Sequence, residues 1–311
     1  MRVTQSMLSS NMLRNLSASY SKMGKLQEQM TTGKKVNRPS DDPVAVMKGM
    51  GYRVQVDKVM QFKRNLGEVN NYLDSTDDAF TNVGSALKRA NELMVNLPNG
   101  TLTQEDREAI LEEVKQLRET VKDLANTKTG DKYIFSGTKT GTPLYDKNVP
   151  VSDGDGYPEL DVNDPDNPVI RPEGFTNSIE IEVFDGVKMT VNTNAVEMFK
   201  DIDRMFAEIE KAVMDPDADS SILNRFIGET QAQLDTLLMK QAEVGALQNR
   251  ADMMENRLGS QEGIAKKQMS QNEDIEIEVV ITEMVTQEAL HRAALSVGAK
   301  IIQPSLVDFL R

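Results

Sequence analysis

His291 is the one histidine among 311 residues, and there is no cysteine. A Ser-His-Asp arrangement needs an imidazole set between a nucleophile and a carboxylate. His291 instead lies in Glu288-Ala289-Leu290-His291-Arg292, a segment of helical period, so its expected place is a helix surface or a helix contact. One histidine and no thiol exclude a multi-histidine or thiolate metal centre. Calcium is the other chemistry to weigh, because Ser152-Asp153-Gly154-Asp155-Gly156 and the stretch from Asp161 to Asp166 offer hard oxygen ligands. Counted from Asp161, however, Pro165 takes the fifth position and Pro172 the twelfth, where an EF-hand loop needs a ligand and a bidentate glutamate. A solvated turn cluster is expected there, with no metal and no cofactor. Phosphate-loop, nucleophile-elbow and paired-histidine zinc motifs are absent, so the chain reads as a non-enzyme.

The elements that surround these residues are mostly helical. Val59, Phe62, Leu66, Val69, Leu73, Thr76, Phe80, Val83, Leu87, Ala90, Met94 and Leu97 recur in steps of three and four. Such a repeat keeps one apolar stripe facing a partner helix over about 58 Å, and its expected role is internal core. Before it, Leu13, Leu16, Tyr20, Met23 and Met30 fall in a similar register, with Gln27 at a missing position and Met12 and Leu26 on the flanks. This first stripe is narrow and interrupted by Ser, Asn and Gln, so the helix is expected to be ordered mainly by a partner. Asp42 followed by Pro43 signals a helix start, and Pro98-Asn99-Gly100 a stop, after which Thr103 caps a helix with Ile110, Val114, Leu117, Val121 and Leu124 on its apolar face.

Between about Tyr133 and Asn194 the helical period gives way to Gly, Pro and Asp. Ile179, Ile181 and Val183 alternate with Glu180 and Glu182, and Asp185-Gly186 leads to Val187, Met189 and Val191, a hairpin signature. Helical period returns over 195–214, breaks at Asp215-Pro216-Asp217 and resumes from Leu223. A three-residue step to Leu247, where four is due, predicts a register slip. A last helix begins at Ile277, Val280, Ile281 and Met284. The expected fold is therefore mainly α: an elongated antiparallel helical bundle or coiled-coil rod, with a small β-rich insert at its tip and few contacts from insert to rod. Terminal helices 1–40 and 272–311, a helical rod of 41–137 and 195–271, and an insert of 138–194 are the expected domains.

The net charge of −13 and the lack of a basic run argue against nucleic acid and anionic membranes as partners. No apolar run approaches a membrane span, and the first thirty residues lack the apolar core of a cleaved signal peptide, so composition alone suggests a soluble intracellular chain.

Three stretches together resemble the flagellin superfamily. The first is Met30-Thr31-Thr32-Gly33-Lys34-Lys35-Val36-Asn37-Arg38-Pro39-Ser40-Asp41-Asp42-Pro43, similar to the loop that joins the first helix to the rod. The second is Tyr133-Ile134-Phe135-Ser136-Gly137-Thr138-Lys139-Thr140, where the composition changes. The third is the run from Ala294 to Arg311, with Ser305-Leu306-Val307-Asp308-Phe309-Leu310 at its end. Arg38-Pro39, Pro43 and this last run are more similar to the branch at the junction of hook and filament than to filament subunits. The resemblance implies an extracellular structural adaptor in the bacterial flagellum, which exports its members without a cleaved signal through the type III apparatus, with a cytosolic chaperone. Implied partners are further copies of the chain in a ring, the first hook-associated protein, and flagellin. Leu13, Leu16, Tyr20, Met23, Met30, Leu295, Ile301, Ile302, Leu306, Phe309 and Leu310 are then the expected subunit-interaction residues. A filament subunit and a cell-surface binding module are the competing readings; the second would use Tyr145, Tyr157, Phe175 and Phe184 of the insert.

Overall fold

The structure, a computed structural model, describes residues 5–96, 104–145, 174–214 and 220–302. Its helices are α1 (Gln5–Thr32), α2 (Pro43–Asn96), α3 (Gln104–Ala125), α4 (Val196–Met214), α5 (Ser220–Glu273) and α6 (Ile277–Ile302). Its strands are β1 (Lys128–Thr129), β2 (Lys132–Tyr133), β3 (Glu180–Phe184) and β4 (Val187–Thr190). They form two separate antiparallel pairs, β1 with β2 and β3 with β4. Residues 1–59 with 260–311 form one compact unit and residues 60–259 a second, so α2 and α5 contribute to both.

In the second unit the long seam of α2 is core. From Leu66 to Met94 each of its positions is buried, while Phe62 is half-buried and Leu97 lies outside the described residues. Helix α5 runs antiparallel beside it: Gln248 Nε2 donates to Asp74 Oδ1 at 3.0 Å, Gln241 Nε2 to Thr81 Oγ1 at 3.2 Å, and Leu237 packs on Gly84. Thr230, Leu237, Val244, Ala251, Leu258 and Ala265 are buried at uniform steps of seven, a set that the predicted register slip leaves unchanged. Between Val244 and Ala251 both Leu247 and Gln248 are half-buried, and past Ala251 the slipped position Met254 is half-buried where Glu255 is exposed. Gln248 bonds Asp74 across the pair, so a polar side chain shares the inward position with Leu247.

Helices α3 and α4 cover this pair. Phe135, from the segment after β2, lies at 5.3 Å from the Phe80 ring of α2 and 5.0 Å from the Phe199 ring of α4, all three buried. Chain direction then reverses at Gly137, whose φ is +55°; a Cβ there would overlap the carbonyl oxygens of Gly174 and Phe175. Thr138 donates from its amide to Gly174 O at 2.7 Å, closing the base of the segment. Gly137→Ala is expected to lower stability by about 3 kcal/mol, since the left-handed conformation and the overlap with backbone both oppose a side chain; urea unfolding measures it.

The hairpin forms as its alternation dictates. Val183 and Met189 face inward, and Gly186 sits in the turn at φ +71°. Its contacts with the helices differ from expectation. Phe184 meets Phe62 at 6.0 Å, the Arg257 guanidinium lies 4.3 Å from the Phe184 ring, and Asn65 Nδ2 donates to Glu182 O at 2.7 Å. The hairpin is thus fastened onto α2 and α5, because its outward face carries an aromatic side chain that gains by leaving water. Asp153 to Asp166, the calcium candidates, lie outside the described residues.

Candidate assembly surface

In the first unit α1 and α6 pair antiparallel. Gln287 Nε2 donates to Ser19 Oγ at 2.8 Å, Tyr20 and His291 rings lie 6.2 Å apart, and Met12 rests on Gly298. The inward face of α1 is Met12, Leu16, Ser19, Met23 and Leu26, all half-buried except the buried Leu26. It is turned by one residue from the stripe read in the sequence. Leu16 and Met23 are shared, whereas Leu13 and Tyr20 are 61% and 67% exposed and Met30 is also exposed. Ser19 explains the difference, because a hydroxyl that bonds Gln287 fills a position where an apolar residue was sought.

His291 lies at this helix contact, and its Nδ1 is buried with no hydrogen-bond partner among the described residues. Leu295 is exposed. Ile301 and Ile302 are helical, with side chains outside the description, and Leu306, Phe309 and Leu310 lie outside the described residues. No group of three or more His, Cys, Asp and Glu side chains that could hold a metal occurs among the described residues, and no described helix is long and apolar enough to cross a membrane.

Helix α6 is apolar on more than its inward face. At about 100° per residue, Ile277, Ile281 and Val285 form one flank and Val279, Leu290 and Val297 the opposite flank, and all six are exposed. A helix that is apolar all round is stable in water only when covered on every side. One partner, α1, leaves both flanks open.

The loop from Gly33 to Asp42 fixes where this pair begins. Gly33, at φ +68°, ends α1, and Lys34 bridges to Asp274 across an antiparallel crossing: Lys35 N donates to Glu273 O at 2.6 Å and Ile275 N to Gly33 O at 3.1 Å. Side chains reinforce it. Lys34 Nζ meets Asp274 Oδ1 at 2.6 Å and Glu273 Oε2 at 3.5 Å, and Arg53 donates to the buried Glu273 at 2.7 Å. Gly49 leaves room for that carboxylate, where any Cβ would overlap it. Asn37 accepts from Thr32 Oγ1, Arg38 reaches Glu28 at 3.5 Å, and Asp41 accepts from Lys25 at 3.0 Å. Asp42 Oδ1 accepts from the amides of Val44 and Ala45, each at 3.0 Å, capping α2 with Pro43 in its first turn. Pro39 and Ser40 are exposed.

The hydrogen bond from Lys34 holds the Asp274 carboxyl below its ordinary 3.8 and, in return, raises Lys34 above 10.5. A depressed carboxylate contributes stability above its unfolded pKa and loses it as pH falls through the folded value. A raised lysine contributes below its unfolded pKa and loses it as pH rises through the folded value. The pair therefore acts between about pH 4 and pH 10. Lys34→Ala is expected to cost less than about 1 kcal/mol at pH 7, both groups being partly exposed, and the difference should close below about pH 3. Thermal melts of both proteins across pH test this.

The sequence reading did not single out Glu273 or Arg53. The two are 220 residues apart, and neither belongs to a local pattern.

Residues 3–140 match the family model of the bacterial flagellin N-terminal helical region. Flagellar hook-associated protein 3 of Escherichia coli K12 is 25% identical over 307 residues, covering 94% of this chain and 95% of that protein. A flagellin of Bacillus subtilis 168 is 23% identical over 312 residues, covering 97% of each. The fold matches the solved structure of a flagellar hook-associated protein from Vibrio parahaemolyticus with a TM-score of 0.61 at 23% identity, over 75% of this chain and all of that one. The chain is thus similar to proteins of the flagellin superfamily over almost its whole length.

Proposed function

We propose that the chain is a structural adaptor of the bacterial flagellum, set between hook and filament and held there by α1 and α6 packing with the same helices of neighbouring copies. The observation that carries the assembly half is α6, whose two open apolar flanks call for a neighbour on each side. Two different flanks make a head-to-tail contact, which builds a ring where the rotation closes and an open helical array where it does not, rather than a twofold dimer. Exposed Leu13 and Tyr20 of α1 extend the same surface. Burying each such side chain contributes about 1.5–3 kcal/mol, so a few contacts per neighbour suffice. The position between hook and filament is supported by similarity to hook-associated protein 3 across 94% of the chain. On this reading the neighbours are the first hook-associated protein on one side and flagellin on the other, and export uses the flagellar type III apparatus with a chaperone.

The aromatic side chains that a binding module would need are engaged internally. Phe175 is buried, Phe184 packs on Phe62, and Lys122 lies 4.7 Å from the Tyr145 ring; Tyr157 is outside the described residues. A filament subunit is the second reading, favoured by the full-length similarity to Bacillus subtilis flagellin.

Electron microscopy of cells lacking the gene product, with flagellin assayed in the medium, separates these. Bare hooks with flagellin lost to the medium are expected of the adaptor. Bare hooks with no flagellin in the medium would make the chain the filament subunit, and intact filaments would overturn both.

A further inference from the structure

Two connections join α1 and α6 to the long helices of the first unit: residues 33–42 lead from α1 to α2, and residues 274–276 from α5 to α6. They meet at the backbone crossing described above. The contacts of Ser19 with Gln287, Tyr20 with His291 and Met12 with Gly298 lie wholly within the α1–α6 pair and involve neither α2 nor α5. The pair is thus internally packed and joined to the long helices through the crossing.

Two side chains at the end of α5 carry the crossing onto α2. Asn272 Nδ2 donates to Ala45 O at 2.8 Å. Glu273 gives its backbone carbonyl to Lys35 N at 2.6 Å and turns its buried carboxylate onto α2, where it accepts from Arg53 at 2.7 Å in the space left by Gly49. A buried carboxylate needs such a partner, so while this bond holds the crossing cannot shift along or away from α2.

The same contact is built to open. The Arg53 side chain is 59% exposed, so its guanidinium keeps much of its water when paired and recovers the rest on release. Beside the carboxylate lies a cavity of about 40 Å³ lined by Val36, Ala45, Val46, Met50, Arg53 and Asn272. A space of that size admits a water, which can hydrate Glu273 once Arg53 withdraws. Opening therefore costs less than it would for a sealed ion pair.

We propose that Glu273 is a latch: closed on Arg53 over Gly49, it fixes the direction in which the α1–α6 pair leaves α2, and open, it lets the pair turn as one arm at the crossing of residues 33–35 with 273–275. The latch is a property of one chain and needs no neighbour, while its use, aiming the open flanks of α6 at neighbouring copies, rests on the assembly proposed above.

The chain has no cysteine, so paired nitroxide labels on introduced thiols report cleanly. One full-length chain carries Ser17→Cys with Gln55→Cys, from α1 to α2, and another Ser17→Cys with Ser296→Cys, from α1 to α6; all three positions are exposed. Labelled chain is diluted into unlabelled chain, and the spin–spin distance distribution is measured by pulsed electron resonance. Both distributions are expected to be narrow. Glu273→Ala should broaden the α1–α2 distribution at least twofold and leave the α1–α6 distribution narrow. Gly49→Ala should do the same, because its methyl group displaces the carboxylate without removing the charge. An α1–α2 distribution that stays narrow in both variants, or is already broad before substitution, overturns the latch. Broadening of both label pairs also overturns it, since Glu273 would then hold α1 to α6 rather than aim them. None of these outcomes depends on oligomers forming, so sedimentation of the unlabelled chain tests self-association separately.

Discussion

Phe135→Ala is expected to lower the stability of the second unit by about 3–5 kcal/mol, the cost of truncating a fully buried aromatic side chain. Phe135 is 1% exposed and its ring touches Phe80 of α2 on one side and Phe199 of α4 on the other. The two ring contacts add to the burial, because offset and edge-on aromatic pairs exceed what their area alone supplies. Neither neighbour can close the cavity: Phe80 and Phe199 are both fully buried and already fixed by their own helices. Phe135→Leu should recover roughly half the loss, since it restores volume but not the ring contacts. Urea unfolding followed by circular dichroism measures both. An effect of Phe135→Ala below about 1 kcal/mol would mean that the segment after β2 is not part of the core.

Asp203→Ala should cost a similar amount, about 3–5 kcal/mol, by a different route. Asp203 is 1% exposed on the otherwise apolar face of α4 formed by Phe199, Ile202, Phe206 and Ile209. Arg118 of α3 grips it with two bonds, Nε to Oδ1 at 2.6 Å and a terminal nitrogen to Oδ2 at 2.9 Å, and Lys122 Nζ lies at 3.7 Å. Glu210, at 3.4 Å from Arg118, is the second anion of the group. The Asp203 hydrogen bond is the main reason that the Arg118 guanidinium is raised above its ordinary pKa, so removing Asp203 leaves a cation that cannot shed its charge. Asp203→Asn keeps the shape and should cost less. Replacing Arg118 and Asp203 together by Leu and Ala should cost less than Asp203→Ala alone, because the guanidinium leaves with its buried carboxylate, and Glu210, which also loses Arg118, is half-buried rather than buried. Equal losses in the single and double variants would overturn this account.

The pattern of burial explains which parts of this fold could be read in advance. The α2 seam was legible because its positions are apolar, Thr76 excepted, and the hairpin because strict alternation meets an Asp-Gly turn. The errors fall where a polar side chain occupies an inward position by finding a partner on another helix. Ser19 with Gln287 turned the α1 face by one residue. Arg118 and Asp203 were hidden for the same reason, since nothing local marks a charge whose partner lies 85 residues away. The loop of residues 30–43 was legible as a resemblance, and Asp42 as a cap, but the carboxylate it closes upon, Glu273, was not.

The bonds from Gln241 to Thr81 and from Gln248 to Asp74 have a mechanical meaning. Each glutamine meets its partner in the observed alignment of α2 and α5, and a slide by half a heptad breaks both bonds at once. Sliding is the soft motion of two parallel rods, and here it is pinned at two points seven residues apart. A helix pair pinned in this way behaves as a strut: it passes a pull or a twist from one end to the other instead of absorbing it as a change of length.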